Sequence, residues 1–116
     1  MKKMKKIKIY RQIKVGKVRY KAIIEAEPVI DDNLAIYKDE KTNEGIIIDI
    51  KTGLMVSYGR WRKGAIEDFN LLHAKAYYDF IKTIAYQNII KEFNELEEYH
   101  PEVNLDIAES ETEYED

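Results

Sequence analysis

The stretch that decides the fold is Ile46-Ile47-Ile48-Asp49-Ile50-Lys51-Thr52-Gly53-Leu54-Met55-Val56-Ser57-Tyr58. Ile46 to Ile50 is the most apolar run of the chain, short and rich in β-branched side chains, which places it centrally in a sheet. Lys51-Thr52-Gly53 fits a three-residue hairpin loop with glycine in the left-handed position. Leu54 to Tyr58 then returns as the next strand. A loop this short joins antiparallel neighbours only.

Towards the N-terminus, residues 7–26 read as a second hairpin. Ile7, Ile9, Ile13 and Val15 alternate with Lys8, Tyr10, Gln12 and Lys14, the period of a half-buried strand. Gly16-Lys17 supplies a two-residue loop with glycine where a type II′ turn needs positive φ. Setting Val15 opposite Val18 pairs Ile13 with Tyr20, Ile9 with Ile24 and Ile7 with Ala26 on the inner face. On the outer face Lys14 meets Arg19, Gln12 meets Lys21, Tyr10 meets Ile23 and Lys8 meets Glu25. Pro28, which has no N–H for a ladder, is expected to end the second strand. Asp31-Asp32-Asn33 reads as a turn, Leu34 to Lys38 as the third strand, and Asp39 to Gly45 as a polar loop. Five strands joined by short loops predict an antiparallel meander.

Towards the C-terminus the pattern becomes helical from Lys63 to Glu98, ~54 Å if unbroken. Its apolar face changes sides. Ile66, Phe69, Ala76, Tyr77, Phe80 and Ile84 form one stripe, whereas Tyr86, Ile89, Ile90, Phe93 and Leu96 form another nearly opposite. A break at Asn70 or within Thr83 to Asn88 would let both stripes face one core. An unbroken helix would project Ile89, Ile90, Phe93 and Leu96 away from the sheet as a homodimer interface. Neither glycine nor proline occurs between Ala65 and His100, so propensity favours the unbroken helix and the dimer. The fold class is therefore α+β: a five-stranded antiparallel sheet followed by one long or two shorter C-terminal helices packed on one face. Residues 1–100 read as a single domain and 101–116 as an acidic, flexible tail.

The 116 residues carry a net charge of −3, which hides a steep asymmetry. Residues 1–21 hold ten Lys/Arg and no Asp/Glu, while residues 92–116 hold eleven acids and no Lys or Arg. Such opposed ends point to a charged partner. The chain is 45% hydrophobic and 35% charged, and no run approaches the ~20 apolar residues of a spanning helix. The basic start lacks the apolar segment of a secretion signal, so a cytoplasmic protein is expected, with no membrane partner. The absence of cysteine excludes disulfides, thiolate metal sites and cysteine nucleophiles.

Catalysis has little support in the sequence. His73 falls within the first helical stripe, and His100 stands at a helix end, where a cation complements the helix dipole. No phosphate-loop, Gly-x-Ser-x-Gly or His-x-x-x-His pattern is present. The expectation is a non-enzyme with no catalytic residues, no metal and no cofactor. Two charged constellations are candidates for binding. Tyr10, Lys14, Lys17, Arg19 and Lys21 on the hairpin, with Arg60, Trp61, Arg62 and Lys63 before the helix, could meet phosphates and stack on bases. Cations at a helix N-terminus oppose its dipole, so local stability does not explain the second group. Glu92, Glu95, Glu97, Glu98 and Glu102 could instead occupy a basic groove of another protein.

In size, in richness of Lys, Ile, Tyr and Glu, and in its β-then-α layout, the chain resembles small accessory proteins of bacteriophages and mobile elements, anti-CRISPR inhibitors among them. Ile46 to Gly59 followed by Lys63-Gly64-Ala65-Ile66-Glu67 is similar to the strand–turn–strand–helix of many such proteins. It also resembles the three-strand-plus-helix DNA-binding domains of some phage integrases. The resemblance implies a non-catalytic inhibitor or regulator of a host protein that handles nucleic acid, such as a nuclease. The alternative is a small DNA- or RNA-binding protein using the basic hairpin, and a third is a structural oligomer-forming protein.

Overall fold

The structure is a computed structural model that describes residues 6–100. Glu102 and the expected acidic tail, residues 101–116, lie outside the described residues. Five strands run in chain order: β1 (Ile7–Val15), β2 (Val18–Val29), β3 (Asp31–Lys38), β4 (Glu44–Asp49) and β5 (Met55–Arg60). They form one antiparallel sheet of order β1-β2-β3-β4-β5. The helical region follows as α1 (Lys63–Asp68), a π-helical turn (Phe69–His73), α2 (Ala74–Phe80) and α3 (Ile84–Glu95). The fold is α+β.

The β1–β2 register matches the alternation pattern pair for pair, from Ile7 opposite Ala26 to Val15 opposite Val18. Gly16 and Gly53 both take positive φ, 66° and 69°, as their turns require. The passage from β2 to β3 departs from the sequence reading. Pro28 lies within β2, opposite Ala35, at a shift of register, and Asp31 already belongs to β3. The reversal falls on Ile30, at φ 68°. A proline is tolerated at such an irregularity because the ladder is interrupted there.

Both faces of β3 and β4 are buried, which is why Leu34-Ala35-Ile36 and Ile46-Ile47-Ile48 are continuous apolar runs rather than alternating ones. Leu34, Ile36 and Ile47 pack with Val29 under Ala65, Phe69 and Tyr77 of the helical region. Ala35 and Ile48 pack on the other side with Ile9 and Ala26, so the β1–β2 hairpin folds across that face. The hairpin is fastened there by the Gln12 backbone N–H, which donates to the Gly53 carbonyl at 3.0 Å.

The expectation of an unbroken helix is corrected. The chain turns at Ile81 to Thr83, and α3 starts afresh from Thr83, whose extended backbone (φ −98°, ψ 160°) makes it a cap. Thr83 Oγ1 accepts from the Tyr86 N–H at 3.1 Å and donates to the Phe80 carbonyl at 2.7 Å. One hydroxyl thereby serves the end of one helix and the start of the next. Because α3 folds back, Tyr86 and Phe93 are buried in their own chain. A Cβ on Gly53 would stand 2.6 Å from Phe93 Cε1, so the ring is seated against the β4–β5 turn. Ile89 and Ile90 on the same helix, and Leu96 just past its end, are half-buried. The projecting stripe that motivated a dimer is thus turned inward at Phe93. On the first stripe, Phe69 and Tyr77 are buried, while Ala76 and Ile84 are exposed.

Candidate functional site

Asp49 closes β4 with a carboxylate only 1% exposed, and the surrounding elements all supply donors to it. Tyr77 of α2 donates to Oδ1 at 2.5 Å, and Tyr86 of α3 donates to the two oxygens at 3.0 and 3.2 Å. Thr52 donates to Oδ2 from its hydroxyl at 2.7 Å and from its backbone N–H at 3.0 Å. Asn33 of β3 donates to Oδ1 as well, with its amide nitrogen 2.9 Å from both phenol oxygens. A buried carboxylate surrounded by donors is held in place rather than available. The phenols respond accordingly. Burial, together with the bond to Asp49, pushes the Tyr77 hydroxyl far above the ordinary tyrosine range. Burial is also the largest cause that lifts Tyr86 to about 12. Nearby, Tyr78 donates to Asp31 at 2.5 Å, and that bond raises Tyr78 to about 12. The group joins β3, β4, the β4–β5 turn, α2 and α3 through one carboxylate. Its signal in the sequence was a single acid inside the isoleucine run.

The opposite situation holds at the tip of the β1–β2 hairpin. Lys14 and Arg19 stand directly across from one another, and Lys17 occupies the turn. Like charges so placed repel. All three are exposed, and none has an ion-pair partner among the described residues. Beside them opens a cleft of about 290 Å³ lined by Arg11, Gln12, Ile13, Lys14, Val15, Arg19 and Leu54. The Gln12 side chain is occupied: its amide donates to the Thr52 carbonyl at 2.9 Å and its oxygen accepts from Arg19 at 3.5 Å. The cleft therefore presents cationic donors along a rigid strand end.

The remaining candidates are distributed unevenly. Lys21 and Tyr10 belong to the same outer face but are engaged by residues 94–99 at the close of α3. The Lys21 N–H donates to the Glu97 carbonyl at 3.0 Å, and the Tyr99 N–H donates to the Lys21 carbonyl at 2.8 Å. Lys21 Nζ reaches the Asn94 carbonyl at 3.2 Å, and the Tyr10 hydroxyl donates to Glu98 Oε1 at 3.1 Å. That bond raises the Tyr10 hydroxyl above its ordinary value. The acidic end and the basic hairpin, read as rival surfaces, are thus clasped together at this point. Glu92, Glu95 and Glu97 are exposed, and Glu98 is half-buried.

The Arg60 to Lys63 group lies elsewhere and carries its own counter-charges. Arg62 pairs with Glu27 at 3.4 Å and Lys63 with Glu67 at 3.9 Å, while Arg60 stands opposite Glu44 across β4–β5. Trp61, 39% exposed, lines a second cleft of about 490 Å³ with Lys6, Glu25, Glu27, Tyr37 and Lys38, among others.

No protein-family model, curated protein or solved structure matches the chain. Among the described residues, no helix is long and apolar enough to cross a membrane, and no His, Asp and Glu side chains gather into a candidate metal site. His73 is half-buried in the π-helical turn, and His100 is exposed near the Lys21 clasp.

Proposed function

We propose that this chain is a non-catalytic binding protein that contacts nucleic acid through the tip of the β1–β2 hairpin. The carrying observation is the tip itself: Lys14, Lys17 and Arg19 are exposed, mutually repelling and without ion-pair partners among the described residues. Arg11 lines the cleft together with Lys14 and Arg19 as its third cation. Such a cluster costs the free protein self-repulsion, which a polyanion relieves. The buried carboxylate Asp49 is enclosed by donors, which supports a scaffold role for it and a binding role for the protein.

A second reading is favoured by the exposure of Glu92, Glu95 and Glu97 along the end of α3. There the chain would act as a phage or mobile-element inhibitor in the host cytoplasm, placing its acidic edge in the basic groove of a nucleic-acid-handling protein. The test is a gel-shift titration at low salt with the wild type and with the Lys14→Glu, Arg19→Glu double variant. The expected result is binding by the wild type, loss of at least tenfold in the variant, and unchanged melting of the protein. If the wild type shifts no DNA or RNA, the tip reading is wrong. Nuclease-resistant capture of a host protein, lost on Glu92→Lys with Glu95→Lys, would then support the acidic edge.

A further inference from the structure

Resting on the tip reading, we propose that the hairpin recognises the sugar-phosphate backbone of double-stranded DNA, independently of base sequence, rather than the bases of a single strand. Sheet surfaces that hold single strands need aromatic rings beside their cations, because stacking supplies about 1–3 kcal/mol per base. The tip cleft has no such ring: its walls are Arg11, Gln12, Ile13, Lys14, Val15, Arg19 and Leu54. The tyrosines closest in register are already committed. Tyr10 donates to Glu98, and its ring lies 5.1 Å from Lys21 Nζ. Tyr20 is buried edge-on against Tyr99 at 5.4 Å, and the Tyr37 ring lies beneath the Arg11 guanidinium at 5.6 Å. Trp61 lines the other cleft, with Glu25 and Glu27 among its neighbours.

Adenine reading by a bidentate amide is closed as well. Gln12 is the amide side chain of the cleft, and both of its ends are bonded within the protein. What the tip presents is charge at fixed spacing on a two-stranded ribbon, its strands locked from Lys14–Arg19 to Ile7–Ala26. The tip beyond the Gln12 and Lys21 fastenings, residues 13–20, is the part offered to a groove. The B-form major groove, about 12 Å wide, admits a two-stranded ribbon, whereas the A-form one is too narrow. A duplex also presents the denser phosphate array, and each neutralised phosphate contributes a log–log salt slope of about −0.9 against about −0.7 for single strands.

The experiment is fluorescence anisotropy of the full chain with a 20-base-pair DNA duplex, a scrambled duplex of equal composition, the corresponding single strand and an RNA duplex. We expect the DNA duplex to bind at least tenfold tighter than the single strand or the RNA duplex, with the scrambled duplex within about twofold. The salt slope should lie near −3, for phosphates neutralised by Lys14, Lys17 and Arg19, and Lys17→Gln should reduce it by about one. Equal or tighter binding of the single strand or the RNA duplex would overturn the duplex-DNA assignment and leave the tip reading standing. So would a tenfold preference between the two DNA duplexes, which would overturn backbone-only recognition. If no probe binds at low salt, the tip reading and this inference fall together.

Discussion

Asp49 and the hairpin tip place charge in opposite circumstances. The Asp49 carboxylate is buried and accepts from Tyr77, Tyr86, Thr52 and Asn33. Lys14, Lys17 and Arg19 are exposed and repel one another. A charge surrounded by its own protein's donors is part of the scaffold, since removing it leaves several buried groups without partners. A charge left without compensation at the surface adds nothing to the fold and is available to something else. The two regions should therefore respond oppositely to substitution, one through stability and the other through binding.

The largest expected effect is at Asp49. Asp49→Ala leaves the Tyr77, Tyr86 and Thr52 hydroxyls and the Thr52 N–H without their acceptor, and should cost about 4 kcal/mol or more. Urea unfolding would measure this, and a loss below about 1 kcal/mol would show that water replaces the carboxylate. A smaller effect should appear at alkaline pH. The folded protein holds the Tyr86 proton up to about 12, from an ordinary value of 10, and Tyr77 moves in the same direction. The unfolded chain ionises first, so the stability these phenols contribute is complete below pH 10 and declines as pH rises towards 12. Tyr86→Phe should lessen that decline in melting experiments, leaving the share of Tyr77 and Tyr78, while itself costing about 1 kcal/mol at neutral pH. The smallest effect on stability belongs to the tip. Lys14→Glu with Arg19→Glu should leave unfolding within about 0.5 kcal/mol of wild type. A large destabilisation there would erase the contrast between the two regions.

The sheet was legible because its signals are local. Gly16 and Gly53 mark their turns, and setting Val15 opposite Val18 across the first of them fixes the register of residues 7–26 without reference to anything distant. The turn at Ile30 was not legible: a β-branched residue at φ 68° is uncommon, so no propensity points to it. Propensity also misjudged the helical region, where the decisive group is Thr83. Its hydroxyl ends one helix and caps the next, and a polar side chain does this without any glycine or proline. The cations of the tip could be read directly from the sequence. Their isolation could not, because it depends on Lys21 and Tyr10 being taken up by residues 94–99 while Lys14 and Lys17 are not. Asp49 was visible as an acid among isoleucines, but its partners come from four other segments of the chain.

The clasp between Lys21 and the Glu97–Tyr99 segment has a consequence in time. It joins Lys21 to residues 97–99, a contact between segments far apart in sequence whose closure carries a large loop entropy. It rests on two backbone hydrogen bonds and a few side-chain contacts, which makes it an early place for native opening. The Lys21 amine and the Tyr10 ring are both held in this clasp, so an opening there is expected to release them together. Hydrogen exchange at the Tyr99 amide, which donates to the Lys21 carbonyl, would report the rate of that opening.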